Sequence, residues 1–408
     1  MFLKWFKNIG PGTLVAAAFI GPGTVTVCTI AGVTFGYNLL WVMLLSIFAT
    51  IILQEMSARI GIISQKGLSE VLRNSIENKK LKYLVVALIL AAIVVGNAAY
   101  EAGNISGGIL GLETIFGTSS YTFNNITFNG YSLLIGVVAF VLLYIGNYKF
   151  LEKALITLVI LMSISFIVTA ALTKPNLSAL FSGLFIPKMP EQSILTIIAL
   201  IGTTVVPYNI FLHASLVKEK WNNKNDLKKA KLDTILSIAL GGLVSMAIII
   251  AASGINSKEI LNTADLAKGL EPLYGEFAKY FLALGLFAAG ITSAITAPLA
   301  AAYVAKGCLG FKGGLTSISF RAVWIIILGL GVVFSSIGIK PIEIIKFAQI
   351  ANGILLPIIT GLLLWMMNNS AVLGNYVNTK LQNVFAVLIF IVTVFLGTKG
   401  VLTVLNVI

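Results

Sequence analysis

The sequence predicts an all-α polytopic membrane protein with about eleven transmembrane helices, arranged as two five-helix halves and one extra helix. Three observations carry that expectation. Of 408 residues 58% are hydrophobic and only 11% charged, against about 25% charged in an ordinary globular chain, so the apolar excess has no polar surface to cover it. The apolar residues form nearly continuous runs such as 84–95, 155–172 and 385–396, suited to spanning helices and lacking the alternation of a barrel strand. Two spans are interrupted near their centres by Gly, Pro and Thr, and these two lie five spans apart.

Each span is bounded by residues that stop a helix or leave the hydrocarbon. Span one, 12–33, opens after Gly10-Pro11-Gly12 and ends before Gly36; span two, 38–62, stops before Lys66-Gly67. Span three, 81–111, follows Lys79-Lys80; span four, 130–148, follows Asn129; span five, 153–173, ends at Lys174-Pro175. Span six, 193–217, runs from Pro190 to the basic stretch 218–231, after which span seven, 233–254, begins. Spans eight, nine and ten cover 275–305, 320–337 and 341–367, and span eleven covers 382–403. Proline and glycine disfavour helix continuation and lysine is expelled from the bilayer core, which is why they mark the ends. The chain is expected to be one membrane domain over 1–408, with repeat one at about 10–173, repeat two at about 193–367 and the extra helix at about 382–403.

The net charge of +13, from 28 basic and 15 acidic residues, is explained by location. With the N-terminus in the cytoplasm most basic residues fall in inside segments, among them Lys79, Lys218, Lys231 and Lys306, while several outside lysines sit near acids such as Glu191, Glu259 and Asp265. The positive-inside rule then puts the N-terminus in the cytoplasm and the C-terminus outside the cell membrane. The stretch 218–231 is read as a topology determinant and anionic-lipid contact, so the partner is the lipid bilayer and no nucleic acid is expected. MFLKWFKNIG has no small-residue cleavage site, and no removable signal peptide is expected. Cys28 and Cys308 stand in apolar context without a CxxC or Cys/His cluster, which argues against a disulfide framework or a zinc site. Phosphate-loop, HExxH and Gly-x-Ser-x-Gly motifs are absent, so neither ATP-driven pumping nor intramembrane hydrolysis is indicated, and no cofactor is expected.

Gly21-Pro22-Gly23-Thr24 divides span one, and Gly202-Thr203-Thr204-Val205-Val206-Pro207-Tyr208-Asn209 divides span six. Proline removes a backbone donor and clashes with the preceding turn, and flanking glycines raise the cost of continuing, so 21–24 and the centre of span six are expected to be unwound. A single Gly-Pro in a membrane helix is commonly a mere kink. Breaks at corresponding places in two five-span halves point instead to an inverted-repeat secondary transporter working by alternating access, its substrate held between unwound backbones near the midplane.

The polar residues inside spans each carry two readings. Glu55 and Glu101 are the acids well inside, and an intramembrane carboxylate is costly unless paired or facing water. Glu55, four residues before Arg59, reads as an i,i+4 ion pair. Glu101, with Asn104 and small neighbours around it, reads as a coupling-ion site for a proton or sodium, or as a structural hydrogen bond. His213, the one histidine, suits a proton relay or a packed hydrogen bond. Gln349 and Asn352 share a helix face and either address the site or join helices. Ser106-Gly107-Gly108 and Gly241-Gly242 read as close helix approaches.

The segment from Gly10-Pro11-Gly12 to Gly21-Pro22-Gly23-Thr24 resembles the first helix of the Nramp family of proton-coupled divalent-metal transporters, and 200–217 resembles its sixth. Gln54 and Ser57-Ala58-Arg59, Tyr100-Glu101-Ala102-Gly103-Asn104, Gly290-Ile291-Thr292-Ser293, Gln349 with Asn352 and Pro357, and Asn378-Thr379 with Asn383 extend the likeness over nearly the full length. The resemblance implies a LeuT-type fold, an inverted 5+5 repeat with broken helices 1 and 6, and uptake of a transition metal with protons. Breaks and resemblance together place the substrate at Gly21, Thr24, Thr203, Val206, Tyr208, Asn209, Gln349 and Asn352, and the proton or coupling-ion route at Glu101, Asn104 and His213. The family signatures are Asp-Pro-Gly-Asn in helix one and Met-Pro-His in helix six. Here Gly21 and Thr24, and Val206 and Tyr208, stand in the ligand positions, and Ala98 stands where the family's proton route has an aspartate.

A metal at the same site would meet Thr24, Thr203 and Tyr208, hard oxygen in place of soft sulfur, which suits a hard, partly hydrated ion such as magnesium or calcium. Against any divalent ion stands the cost of dehydrating it without an anion. Three readings follow: a divalent-cation transporter of altered selectivity, a carrier of a small neutral or zwitterionic solute such as an amino acid, and a non-transporting membrane sensor.

Overall fold

The computed structural model describes residues 20–123, 126–146, 149–255 and 260–405. The part of span one at 12–19 lies outside the described residues, as do Lys4, Lys7 and Glu259. The first half of the chain runs through α1 (Pro22–Phe35), α2 (Leu40–Ser64), a short α3 (Leu68–Ser75) and α4 (Lys79–Phe116). An antiparallel strand pair follows, β1 (Ser120–Phe123) with β2 (Ile126–Asn129), Ser120 opposite Asn129; the apolar pattern did not reveal it. Then come α5 (Gly130–Ile145), α6 (Lys149–Leu172) and α7 (Leu177–Phe185). The second half contains α8 (Ile194–Thr204), α9 (Pro207–Lys220), α10 (Leu227–Ala252), α11 (Ala278–Leu309), α12 (Ile318–Ser336) and α13 (Pro341–Met367), with α14 (Lys380–Val404) last.

Among the described residues nine helical stretches are long and apolar enough to cross a membrane. One of them, Pro22–Ser64, joins α1 and α2 through a 3-10 turn, and α5 is apolar but shorter. Counting α1 and α2 separately and adding α5 accounts for the eleven expected spans.

Helix resumes earlier in span one, and the break in span six is shorter, than the sequence suggests. Gly21 is extended (φ −106°, ψ −175°) and α1 begins at Pro22, so Gly23 and Thr24 are helical rather than unwound. Proline fits a first helical position because the amide hydrogen it lacks would have no partner there and its fixed φ suits the helix. Likewise Thr203 and Thr204 stay in α8, the interruption is confined to Val205 (φ −93°, ψ 78°) and Val206 (φ −83°, ψ 119°), and α9 resumes at Pro207. The Val205 amide donates to the Ile201 carbonyl at 2.7 Å and closes the last turn of α8.

The packing repeats itself on a shift of five spans. α1 packs on α10 as α9 packs on α2; α4 packs on α12 as α11 packs on α5; α4 packs on α13 as α11 packs on α6. Glycines permit the closest approaches: a Cβ at Gly107 would overlap the Pro22 ring, and one at Gly242 would overlap Ile47, as the small-residue stretches foretold.

One polar hub ties α2 to the start of α14. Arg59 donates to Glu55 Oε2 at 2.8 Å, Asn378 Oδ1 at 3.0 Å and the Tyr376 carbonyl at 3.2 Å, so the i,i+4 pair read from spacing is present. Beside it Thr379 and Gln382 form a capping box. Arg59→Met should therefore lower stability by about 3 kcal/mol, because it strands several buried acceptors and a carboxylate at once. Chemical unfolding in detergent checks this, with Glu55→Gln expected to cost less since the other acceptors keep their donor.

Candidate substrate site at the paired helix breaks

The start of α1 meets the break in span six. Thr24, two residues into α1, and Thr203, near the end of α8, lie with their hydroxyls 2.8 Å apart, both fully buried. Gln349 of α13 closes the third side. A Cβ at Gly23 would overlap its side-chain amide and one at Gly202 would overlap its backbone carbonyl, so bare glycine at both positions is what allows three helices to converge there. Thr204 is turned away, bonding back to the Leu200 carbonyl at 2.8 Å.

A second group forms where α9 meets α4. Tyr208 and Tyr100 pack edge to face, ring centroids 5.3 Å apart. On the next residue of α4, Glu101 is fully buried; its Oε2 accepts from Asn104 Nδ2 at 3.3 Å, and its stem fits against Gly331 of α12. Asn352 approaches α4 at Gly96. His213 stands apart from both groups, its Nδ1 2.8 Å from Gln54 Oε1 of α2. Sequence reasoning missed Tyr100 and Gln54 as contributors; each is a polar side chain in an apolar run, the signal that had singled out Glu101.

Buried polar atoms without a protein partner mark where a ligand or water is needed. Among the described residues these include both side-chain atoms of Asn209, Gln349 Oε1, Asn352 Nδ2, Glu101 Oε1 and His213 Nε2. Gly21 and Val206 contribute the backbone of the breaks, not side-chain donors. The donor set around the breaks is thus hydroxyls and amides, and among the described residues no group of three or more His, Cys, Asp or Glu could hold a metal ion.

A helix starting at Gly21-Pro22, set against a span broken at Val205–Val206 in a bundle whose packing repeats on a shift of five spans, defines a membrane transporter of the LeuT-type fold. The chain belongs to the Nramp family, natural resistance-associated macrophage protein-like, whose profile matches residues 12–403. It is 26% identical over 398 residues to the divalent metal cation transporter MntH of Caldanaerobacter subterraneus subsp. tengcongensis, covering 95% of this chain and 90% of that one. It is 27% identical to MntH of Yersinia enterocolitica, covering 95% and 93%. The fold matches that of the Eremococcus coleocola manganese transporter at TM-score 0.76, with 18% identity, over 97% of this chain and 86% of that one. It also matches that of MhsT in complex with L-phenylalanine at TM-score 0.55, with 16% identity, over 96% and 98%.

The Thr24–Thr203 contact is measurable. In a double-mutant cycle of Thr24→Val and Thr203→Val, read by unfolding, each single change should cost more than its share of the double, with a coupling energy of about 1 kcal/mol. Strict additivity would mean that the hydroxyls do not support each other.

Proposed function

We propose that this chain is an alternating-access secondary transporter for a hard divalent cation such as magnesium or calcium, taken between the two helix breaks with part of its hydration shell. The observation that carries this reading is the hydrogen bond joining Thr24 to Thr203, which sets the interrupted spans side by side amid neutral oxygens and amides. An ion that keeps several waters loses less hydration on entry, and water polarised by a dication donates to amide oxygens such as Asn209 Oδ1 and Gln349 Oε1. The relatives' names as divalent metal cation transporters support the class of cargo; loss of the methionine and imidazole positions to Val206 and Tyr208 supports a selectivity moved away from manganese and iron. Glu101, with a free oxygen, is assigned to the coupling ion, a proton or sodium; Asn104 holds its other oxygen, and His213 extends the route on α9. The protein sits in the cell membrane with its N-terminus in the cytoplasm and its C-terminus outside.

One observation favours a second cargo. The donors at the breaks include no carboxylate, while α1 and α9 both begin there, and their positive ends suit the anionic group of a zwitterion. The solute would then be a small amino acid-like molecule on the same scaffold.

Uptake into proteoliposomes decides between them. Magnesium or calcium should accumulate faster than manganese, and Asn209→Leu and Gln349→Leu should each slow uptake about tenfold or more. Folded protein that carries no divalent ion, yet is thermally stabilised by an amino acid and not by metal salts, would establish the second cargo. Gly21→Asp, Thr24→Asn, Val206→Met and Tyr208→His together should add manganese transport. Orientation is tested separately: alkaline phosphatase fused to the C-terminus should be active in a bacterial host.

A further inference from the structure

We infer that the basic end of the bundle carries a phosphate-binding site where α3, α9 and α11 converge, and that the phosphate is that of an anionic lipid or of a soluble ligand with the same group. A cavity of about 360 Å³ lies there. Arg73 from α3, Lys218 from α9 and Lys306 from α11 all line it, and all three are partly buried. Among the described residues none of them makes an ion pair with a carboxylate. Like charges gathered in a half-shielded volume repel one another more strongly than on an open surface, and an anion between them relieves that repulsion.

The lining also contains two carboxylates, Glu70 and Glu219, which lowers the formal charge of the cavity from three to one. Glu219 is engaged by the Tyr303 hydroxyl at 3.3 Å, and the three cations remain in excess, so a cation-binding reading is disfavoured. Ser69 and Ser215 add hydroxyls to the wall. Glycine shapes the rim: a Cβ at Gly310 would overlap the Arg73 guanidinium, and one at Gly307 would overlap Ser69 Oγ. The flanking segment leaves Leu309 and Leu315 about half exposed and Ile318 87% exposed, which places acyl chains beside the cavity and its cations at headgroup level. That arrangement favours a lipid as the source. The site lies at the opposite end of α9 from the Val205–Val206 break and stands independently of the transport reading.

Full-length protein in nanodiscs of phosphatidylcholine with added phosphatidylglycerol provides the test, with bound lipid read by native mass spectrometry. A parallel titration with inorganic pyrophosphate is read by thermal unfolding. The expected result is retention of phosphatidylglycerol over phosphatidylcholine by about tenfold or more, lost in the Arg73→Gln, Lys218→Gln, Lys306→Gln triple variant. A control triple at the start of α4, Lys79→Gln, Lys80→Gln and Lys82→Gln, keeps the preference. Stabilisation by pyrophosphate that disappears in the cavity triple, without a lipid preference, supports the phosphate site and identifies a soluble source. Equal loss in both triples, or no response of the unaltered protein to either probe, overturns the proposal. If the cavity triple does not fold, Lys218→Gln and Lys306→Gln alone decide: a weakened preference in each supports the site, and an unchanged preference in both overturns it.

Discussion

A bilayer offers no hydrogen bond to a backbone, so a spanning helix can break only where the protein itself meets the freed groups. That constraint organises this molecule. Val205 and Val206 interrupt span six, α1 starts after the extended Gly21, and a proline takes the first position of the helix that follows in both places. The start of α1 then faces the break in span six, with Thr24 and Thr203 sharing a hydrogen bond and Gln349 seated against the bare backbone of Gly23 and Gly202. Closing the break in span six against α1 also builds the candidate substrate site.

The electrostatic character of that site follows from its side chains. Hydroxyls and amides supply dipoles, not net charge, and dipoles compensate little of what a bare dication loses on leaving water. A cargo at these residues must retain solvent or carry its own balance of charge. Both cargoes proposed above meet that condition, and it separates this chain from a site built on carboxylate and thioether.

α4 is the wall on which α1, α9, α12 and α13 pack. Within a few turns Gly96 lies near Asn352, Tyr100 packs on Tyr208, Gly103 approaches Ala348, and Gly107 receives Pro22. Glu101 sits in the middle of this stretch, fixed by Asn104 and by Gly331. Any displacement of α1, α9 or α13 against α4 changes the surroundings of that carboxylate, and on this rests the proposed coupling of cargo position to an ion.

Much of this was legible in the chain itself. Unbroken apolar runs and the residues that end them determined the eleven spans, since a bilayer of fixed thickness admits helices of narrow length range. The five-span spacing of the Gly-Pro and Val-Pro motifs determined that the start of α1 and the break in span six would correspond, and the four-residue step from Glu55 to Arg59 determined their ion pair. Tertiary structure alone decided where α1 begins and how far the break in span six extends, that Thr24 reaches Thr203 rather than the carbonyls of an unwound segment, that Tyr100 and Gln54 are the partners of Tyr208 and His213, and that Arg73, Lys218 and Lys306 line one cavity. Periodicity reports which face of a helix avoids water, but not which residue on a distant helix it meets, because in a membrane that choice rests on close packing of small residues and on pairing of buried polar atoms.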